Sequence, residues 1–365
     1  MPGELILKKL NRYLLKNVLK FLLITELAGI VIFITIEFFE HMDIFTSSFS
    51  NFLNSIIYLF LRTPYYINLM LPLAFLISML VLLIIMIRNN EIITIRTSGI
   101  STLSLMLPFI VLSFVLALFS FSISEWIKPF SSQASEYIYR VKIKKEEPYV
   151  FLKNDRIWFK RGNVINNIDH YDQKKDMIKG LTVFELSDDY AIKKRIDAER
   201  GQWLNDAWIF YNVIERKFDR ENIVEKKVYR ELKDIIKENP SIFKVTERNP
   251  EDMSYRELSR YIKRLKEDGH DVRRYLVDLY NKISFPLINL IMVFAAFSVG
   301  LRYVKTKHIS RGILTGISLG ILYWFFHHIS LSFGYSDIFP PIFAAWLANV
   351  LFFSFGLIGI VTLRT

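Results

Sequence analysis

Not one of the 365 residues is cysteine. That excludes a disulfide framework, a cysteine-ligated zinc or iron–sulfur site and a thiol nucleophile. No G-x-x-x-x-G-K-[ST] run occurs, so the chain does not hold ATP through a P-loop. G-x-S-x-G and H-E-x-x-H are missing too, which removes nucleophile-elbow hydrolases and zincin metalloproteases. Lysine and arginine are absent from two segments, 40–55 and 334–341.

What is present is apolar. Hydrophobic residues make up 52% of the chain, 31 of them Phe, and mean hydropathy is +0.26. A soluble globule would struggle to cover that surface. Charge is unevenly placed: residues 1–124 hold 8 basic and 6 acidic groups, and 283–365 hold 5 and 1. The 158 residues between them hold 34 and 29. Two apolar blocks therefore flank a charged one, which excludes a single soluble domain, a disordered chain and a collagen.

A helix needs about 20 apolar residues to cross a bilayer. Six stretches qualify: 18–39, 66–87, 103–123, 283–301, 313–333 and 342–363. The first reads as a retained anchor and not a cleaved leader, because it is long, lacks a small-x-small site and contains Glu26 and Glu37. Basic residues crowd the segments on one side: Lys8, Lys9, Arg12 and Lys16; Arg88 and Arg96; Arg302, Lys305, Lys307 and Arg311; Arg364. The two segments without Lys or Arg lie on the other side. The positive-inside rule then places both termini in the cytoplasm and the charged block outside. The net +11 is in good part this topology signal and not a nucleic-acid footprint.

Before the first span, Lys8, Arg12, Lys16 and Lys20 recur every four residues with Leu7, Leu10, Leu14 and Val18 off their stripe. This reads either as an interfacial helix that turns into the span or as a simple basic flank. The charged block reads as β: seven short runs at 149–153, 156–160, 164–170, 181–186, 192–197, 203–216 and 223–229, rich in β-branched and aromatic residues. Turns are expected at Lys153-Asn154-Asp155, Arg161-Gly162-Asn163, Lys179-Gly180 and Arg200-Gly201, and alternation puts Trp208, Phe210 and Asn212 on one face. Such spacing fits a sandwich, jelly roll or open barrel. After Pro250, Ser254-Tyr255-Arg256-Glu257 is a capping box opening a helix that stops at Gly269, and Asp271 caps a second helix leading to the fourth span. Pro286 marks a kink or first turn there.

Gly312, Gly316 and Gly320 repeat at small-xxx-small spacing in span 5, which reads as a helix interface or as glycine placed there by chance. Glu26 and Glu37, eleven apart, share a face of span 1 and point to protein or a water-filled path, or sit where interfacial water reaches them. His327 and His328 are adjacent, about 100° apart on a helix, and are poorly placed to share a metal. The Glu146-Glu147 and Asp188-Asp189 pairs read as solvated charge. No metal or cofactor site is read in this chain. The segment from Arg88 to Ser101 is too short for a domain and too apolar for a plain loop. It reads as a short helix ended by Gly99, seated in a partner's groove or lying on the membrane.

The chain resembles the LptF/LptG (YjgP/YjgQ) permeases of the lipopolysaccharide-exporting ABC transporter, LptG more than LptF. The likeness covers essentially its whole length. It is carried by Arg62-Thr63-Pro64 with Leu71-Pro72, by Asn90-Glu91-Ile92 through Gly99-Ile100-Ser101, and by Trp126 with Pro129. Lys282-Ile283 with Pro286, and Pro341 with Ala344-Ala345-Trp346-Leu347 and Asn349, complete it. Ala348 stands where the family usually has Pro, and Glu37, Glu40 and His41 stand where LptG-type proteins often carry lysines.

The resemblance implies a polytopic α-helical membrane protein of six transmembrane helices, 3+3, with an inserted all-β jellyroll-like periplasmic domain. The implied divisions are 1–124, 125–250, a helical connector 251–282, and 283–365. It implies a non-enzymatic inner-membrane permease subunit that pairs with a second LptF/LptG-type permease. It implies too that an LptB-like ATPase dimer would bind ATP and magnesium, and that the lipopolysaccharide would pass to an LptC/LptA-like bridge. Glu91, Ile92, Ile95, Arg96 and Gly99 would couple to the ATPase. Glu26, Glu37, Gly312, Gly316 and Gly320 would line a lateral gate. Lys128, Arg140 and Lys142 would meet lipid phosphates, and Pro64, Pro72, Pro286 and Trp346 would be structural. From the residues alone, a proton-coupled carrier using Glu26, Glu37 and the histidines, or a membrane-anchored periplasmic receptor, are the rival readings.

Overall fold

Apolar runs long enough to span a membrane become helices because a bilayer leaves no other partner for backbone polar groups. The structure, a computed structural model, describes every residue except 1, 146–149, 154–155, 173–175, 188–190, 205, 220–221, 241–249, 268–270, 304–308 and 363–365. Expectations for Glu146-Glu147, Asp188-Asp189, Lys305, Lys307, Arg364 and the stop at Gly269 fall outside the described residues. Two compact units emerge, residues 1–139 with 250–365, and residues 140–249.

In the first unit, α1 (Pro2–Glu40) is one continuous helix. The interfacial turn before span 1 is not there. Leu14 and Val18 are fully buried against the protein core while Lys8, Arg12, Lys16 and Lys20 stay exposed, so protein packing straightens the stretch into the span. After the short α2 (Met42–Phe45), α3 (Phe49–Arg88) is 40 residues long, about 60 Å, twice the hydrocarbon thickness. It begins well before residue 66, where the apolar run starts, because Ser48 caps it by accepting from the Asn51 amide at 3.1 Å. Pro64 and Pro72 lie inside this helix and not at its entrance. A short α4 (Glu91–Thr97) leads to α5 (Thr102–Ser122).

That third span does not stop at 123. A π-helical turn (Ile123–Ile127), α6 (Lys128–Tyr137) and a second π turn (Ile138–Ile143) carry it on. The boundary expected at 125 therefore moves to 140. Then come α7 (Tyr255–Glu267), α8 (Arg273–Ser284), α9 (Ile288–Gly300), α10 (Ile309–Tyr335) and α11 (Pro341–Val361). Among the described residues, five helical stretches are long and apolar enough to cross a membrane, and the α8–α9 pair, bent by 56°, makes a sixth if counted as one span. The core is built on α3, α5 and α9, with Phe75, Leu76, Met79, Phe109, Ala296 and Phe297 at or near zero exposure.

The second unit is a seven-stranded antiparallel sheet: β1 (Val150–Lys153), β2 (Arg156–Arg161), β3 (Val164–Asp172), β4 (Met177–Leu186), β5 (Ile192–Leu204), β6 (Ala207–Asp219) and β7 (Asn222–Lys233). All seven expected strands are present. Their order follows the chain, so the connectivity is that of a meander, without the Greek-key crossovers of a strict jelly roll among the described strands.

Lys179-Gly180 and Arg200-Gly201 are not turns; both lie inside strands. Asn212 does not share a face with Trp208 and Phe210 either. It is exposed with φ +54°, and Val213 takes the inner position. One cause explains all three corrections. The ladder skips Asp169/Gly180, Gly180/Glu199, Glu199/Asn212 and Asn212/Arg230, one row running across five strands. Along that row each strand turns inward residues that are three apart instead of two: Ile168 and Tyr171, Ile178 and Leu181, Ala198 and Gly201, Phe210 and Val213, Tyr229 and Leu232. The row is a crease. Gly180 sits on it with φ +68°, and a β-carbon there would run into the Asp169 carboxylate. Gly180→Ala should cost about 1–3 kcal/mol, read as faster hydrogen exchange in β3–β5 while the helical unit is unchanged.

Candidate functional site

Three places in the molecule gather polar or exposed groups that the fold alone does not require. The first is α4. Its N-terminal neighbour Asn90 is left-handed at φ +59°. Its far end is a Schellman motif: the Gly99 amide donates to Arg96 O at 3.0 Å and the Ile100 amide to Ile95 O at 3.3 Å. Gly99 has φ +83° with open space where a β-carbon would go, so its requirement is purely conformational. Gly99→Ala should loosen this end by about 1–2 kcal/mol, seen as earlier proteolysis at 95–101.

The helix has two faces. Ile92 is completely buried as part of the hydrophobic core that also holds Leu14, Val18, Met86 and Met106, and Ile95 packs against that core. Glu91 is drawn inward: the Tyr13 hydroxyl donates to its Oε2 at 3.0 Å and the Asn89 amide to its Oε1 at 3.1 Å. Ile93, 46% exposed, lies on the outer face with Thr94, Arg96 and Thr97. An exposed isoleucine on a helix clamped from behind is what a docking surface requires.

The second place is the break in span 4. Pro286 has no N–H and interrupts the ladder, and the amides of Ile288, Asn289 and Leu290 reach only three residues back. Carbonyls freed inside a bilayer need other donors. Asn349 of α11 donates its amide to Ser284 O at 2.8 Å, and Asn289 donates to Pro286 O at 3.0 Å. Tyr323 of α10 donates its hydroxyl to Asn349 Oδ1. Spans 4, 5 and 6 are thus pinned at the bend. His327 is 1% exposed, stacks on Tyr323 and has neither ring nitrogen hydrogen-bonded among the described residues, while His328 stacks on Trp324. No cluster of potential metal ligands occurs among the described residues.

The bend opens into a cavity of about 180 Å³, reached by Phe285, Pro286, Trp324, His327, Lys128 and Lys282. Lys128 is 7% exposed, and its ammonium donates to Glu251 O at 2.8 Å beside Asp252 at 3.7 Å. Lys282 donates to the same carbonyl at 3.0 Å. Lys128 and Arg62 both lie 5.0 Å from the Tyr65 ring. Arg62 continues the cluster to Glu37 at 3.9 Å, and Glu37 accepts from the hydroxyls of Tyr58 at 2.6 Å and Tyr66 at 2.9 Å. Span 1 is therefore tied to span 2 at this end. Glu26 is different: its carboxylate oxygens are buried without a hydrogen-bond partner among the described residues. The two carboxylates share a helix face and not an environment.

The third place is the sheet. The segment after β7 crosses its inner face: the Asp234 amide donates to Trp208 O at 2.9 Å, the Trp208 indole donates to Glu238 O at 2.8 Å, and Ile236 is buried. Beside it lies a cavity of about 310 Å³ walled by Val164, Val183, Ile196 and Leu232, with Glu185, Lys194 and Glu215 at its rim. Further along, hydrogen bonds from Lys227 and Lys217 hold the Glu225 carboxyl down at about 2.

Comparison with known proteins speaks to the combination of apolar helices and an inserted sheet. The model of the family described as lipopolysaccharide export system permease LptF/LptG matches residues 12–362. The chain belongs to this family. It is 23% identical over 361 residues to the lipopolysaccharide export system permease protein LptG of Escherichia coli (strain K12), covering 95% of this chain and 96% of that protein. Against LptG of Haemophilus influenzae it is 22% identical over 351 residues, covering 94% and 95%. Both relatives are named as permease proteins of a lipopolysaccharide export system.

As an LptF/LptG family member, the chain distributes its remaining candidate residues as follows. Gly316 and Gly320 of α10 face Leu80, Leu73 and Leu76 of α3, so these two positions meet a helix of their own chain; Gly312 lies in the same helix. Trp346 packs half-buried beside Val277, Leu331 and Ala345. Arg140 and Lys142 lie on the second π turn, in the sheet-bearing unit. Asn349 is among the residues that carry the family resemblance, but charge and motif arguments miss its link to the bend, and miss Tyr323 altogether. The available signal is a lone Asn in the apolar last span of a chain whose fourth span is broken by a proline.

Proposed function

We propose that this chain is an inner-membrane permease subunit with both termini cytoplasmic and the sheet in the periplasm. It pairs with a second LptF/LptG-type permease and is driven by an LptB-like ATPase dimer that carries the ATP and magnesium. Lipopolysaccharide is drawn from the outer leaflet into the space the spans enclose and is passed through the sheet domain to an LptC/LptA-like bridge. The observation that carries the reading is α4, whose inner face is locked into the core while Ile93, Thr94 and Thr97 stand exposed in a family that exports lipid.

Motor movement then enters through α4 and passes by Ile92 and Ile95 to α1, α3 and α5. Lys128, Arg140 and Lys142 remain the proposed lipid-phosphate contacts, Lys128 acting at the cavity it lines. The apolar-walled cavity on the sheet suits acyl chains. Purification of the tagged full-length chain in mild detergent should bring down an ATPase subunit in a fixed ratio. Transport that needs a proton gradient and proceeds without an ATPase would replace this reading with a carrier.

A further inference from the structure

α7 carries a basic stripe. Arg256, Arg260 and Lys263 follow one another at helical spacing, with Lys266 beside them, and all four are exposed. The opposite face, Leu258, Ile262 and Leu265, is spent on packing within this unit, the first two with Leu279 of α8. The stripe is thus held rigidly outward with no apolar surface left of its own. Its acidic neighbour Glu257 is turned back into the capping box, accepting from the Ser254 amide at 3.0 Å.

The depth of this helix can be read from α5. Its 21 residues rise about 32 Å, the thickness of the hydrocarbon layer. One turn further on stands Trp126, 67% exposed, a side chain that prefers the membrane–water interface. Its neighbour Glu125, nearly buried, accepts from the Tyr255 amide at 2.6 Å and lies 3.6 Å from Arg256 Nε. The first turn of α7 is therefore fixed at head-group depth. α8, on which α7 packs, is inclined 56° to α9, so the hairpin does not continue the axis of the helix that follows it.

We infer that the Arg256–Arg260–Lys263 stripe is a docking surface for the phosphodiester head groups of anionic phospholipid in the leaflet at that end of the spans. Guanidinium and ammonium groups at head-group depth are complementary to such phosphates, and each is worth about 1 kcal/mol there. The role is to hold the α7–α8 hairpin, and with it the outer half of the broken span, against the bilayer surface.

The test uses the full-length chain in nanodiscs, with native mass spectrometry reading how much phosphatidylglycerol stays bound on release. Arg260→Gln with Lys263→Gln leaves Arg256 beside Glu125. It should lower phosphatidylglycerol retention about tenfold, with phosphatidylethanolamine unchanged. Arg260→Lys should restore retention, and circular dichroism should show the same helix content throughout. Three results would overturn the inference. Retention of phosphatidylglycerol could be unaffected. Both lipids could be lost equally, a packing defect. Or the stripe could matter only for a phosphorylated glycolipid, which would make it a cargo contact.

Discussion

Ile93→Asp should leave the protein folded in detergent and strip it of its ATPase, whereas Ile92→Asp should fail to fold. The two residues are neighbours of the same type on the same short helix. Ile92 is completely buried. An aspartate there loses the isoleucine's burial, and an unpaired carboxylate is forced into the core, on the order of 5 kcal/mol or more in all. Most proteins hold little more than that in reserve. Ile93 is 46% exposed, so its replacement costs the fold under about 0.5 kcal/mol, the ordinary range for a surface change. A charge at the centre of an apolar docking face removes an anchor and desolvates a carboxylate, typically 2 kcal/mol or more of binding. Size exclusion and co-purification read both outcomes. If Ile93→Asp keeps its full complement of ATPase, α4 is not the motor's seat.

The second large effect is expected at Asn349. Asn349→Leu nearly preserves volume but leaves Ser284 O and the Tyr323 hydroxyl, both at the bend, without their partner. Each buried orphan costs about 1–3 kcal/mol, so the loss should be about 2–6 kcal/mol. Tyr323→Phe orphans only the Asn349 oxygen and should cost about half as much. Thermal unfolding in detergent gives the ranking, and equal losses would show that the bend does not depend on this staple.

Much of this was legible in the sequence because it depends on patterns a few residues long. The six apolar stretches locate the spans, and β-branched runs locate all seven strands. The capping box at Ser254 is in place, with the Glu257 amide donating to Ser254 Oγ at 3.1 Å. What was illegible depends on distant partners. Hydropathy sees where a helix is apolar and not where it begins, so α3 and α1 ran past their expected ends. Lys128 looks like any basic residue near a membrane. Its burial comes from the Glu251 carbonyl, 123 positions away. Glu37 and Glu26 look equivalent by spacing, yet only Glu37 meets two tyrosines and an arginine, all supplied by α3. Gly180 and Gly201 signal turns by local propensity. Whether a glycine ends a strand or bends it depends on what the neighbouring strands do at the same level.

The crease also fixes how the meander can assemble. In a regular antiparallel sheet a slip of two residues keeps every side chain on its proper face, so alternation alone does not forbid it. Here inward positions are spaced two apart on either side of the row but three apart across it. A two-residue slip would set Gly180 away from Asp169 and bring a residue with a β-carbon against that carboxylate. The row therefore acts as a key that admits one alignment of neighbouring strands, a safeguard against misthreading.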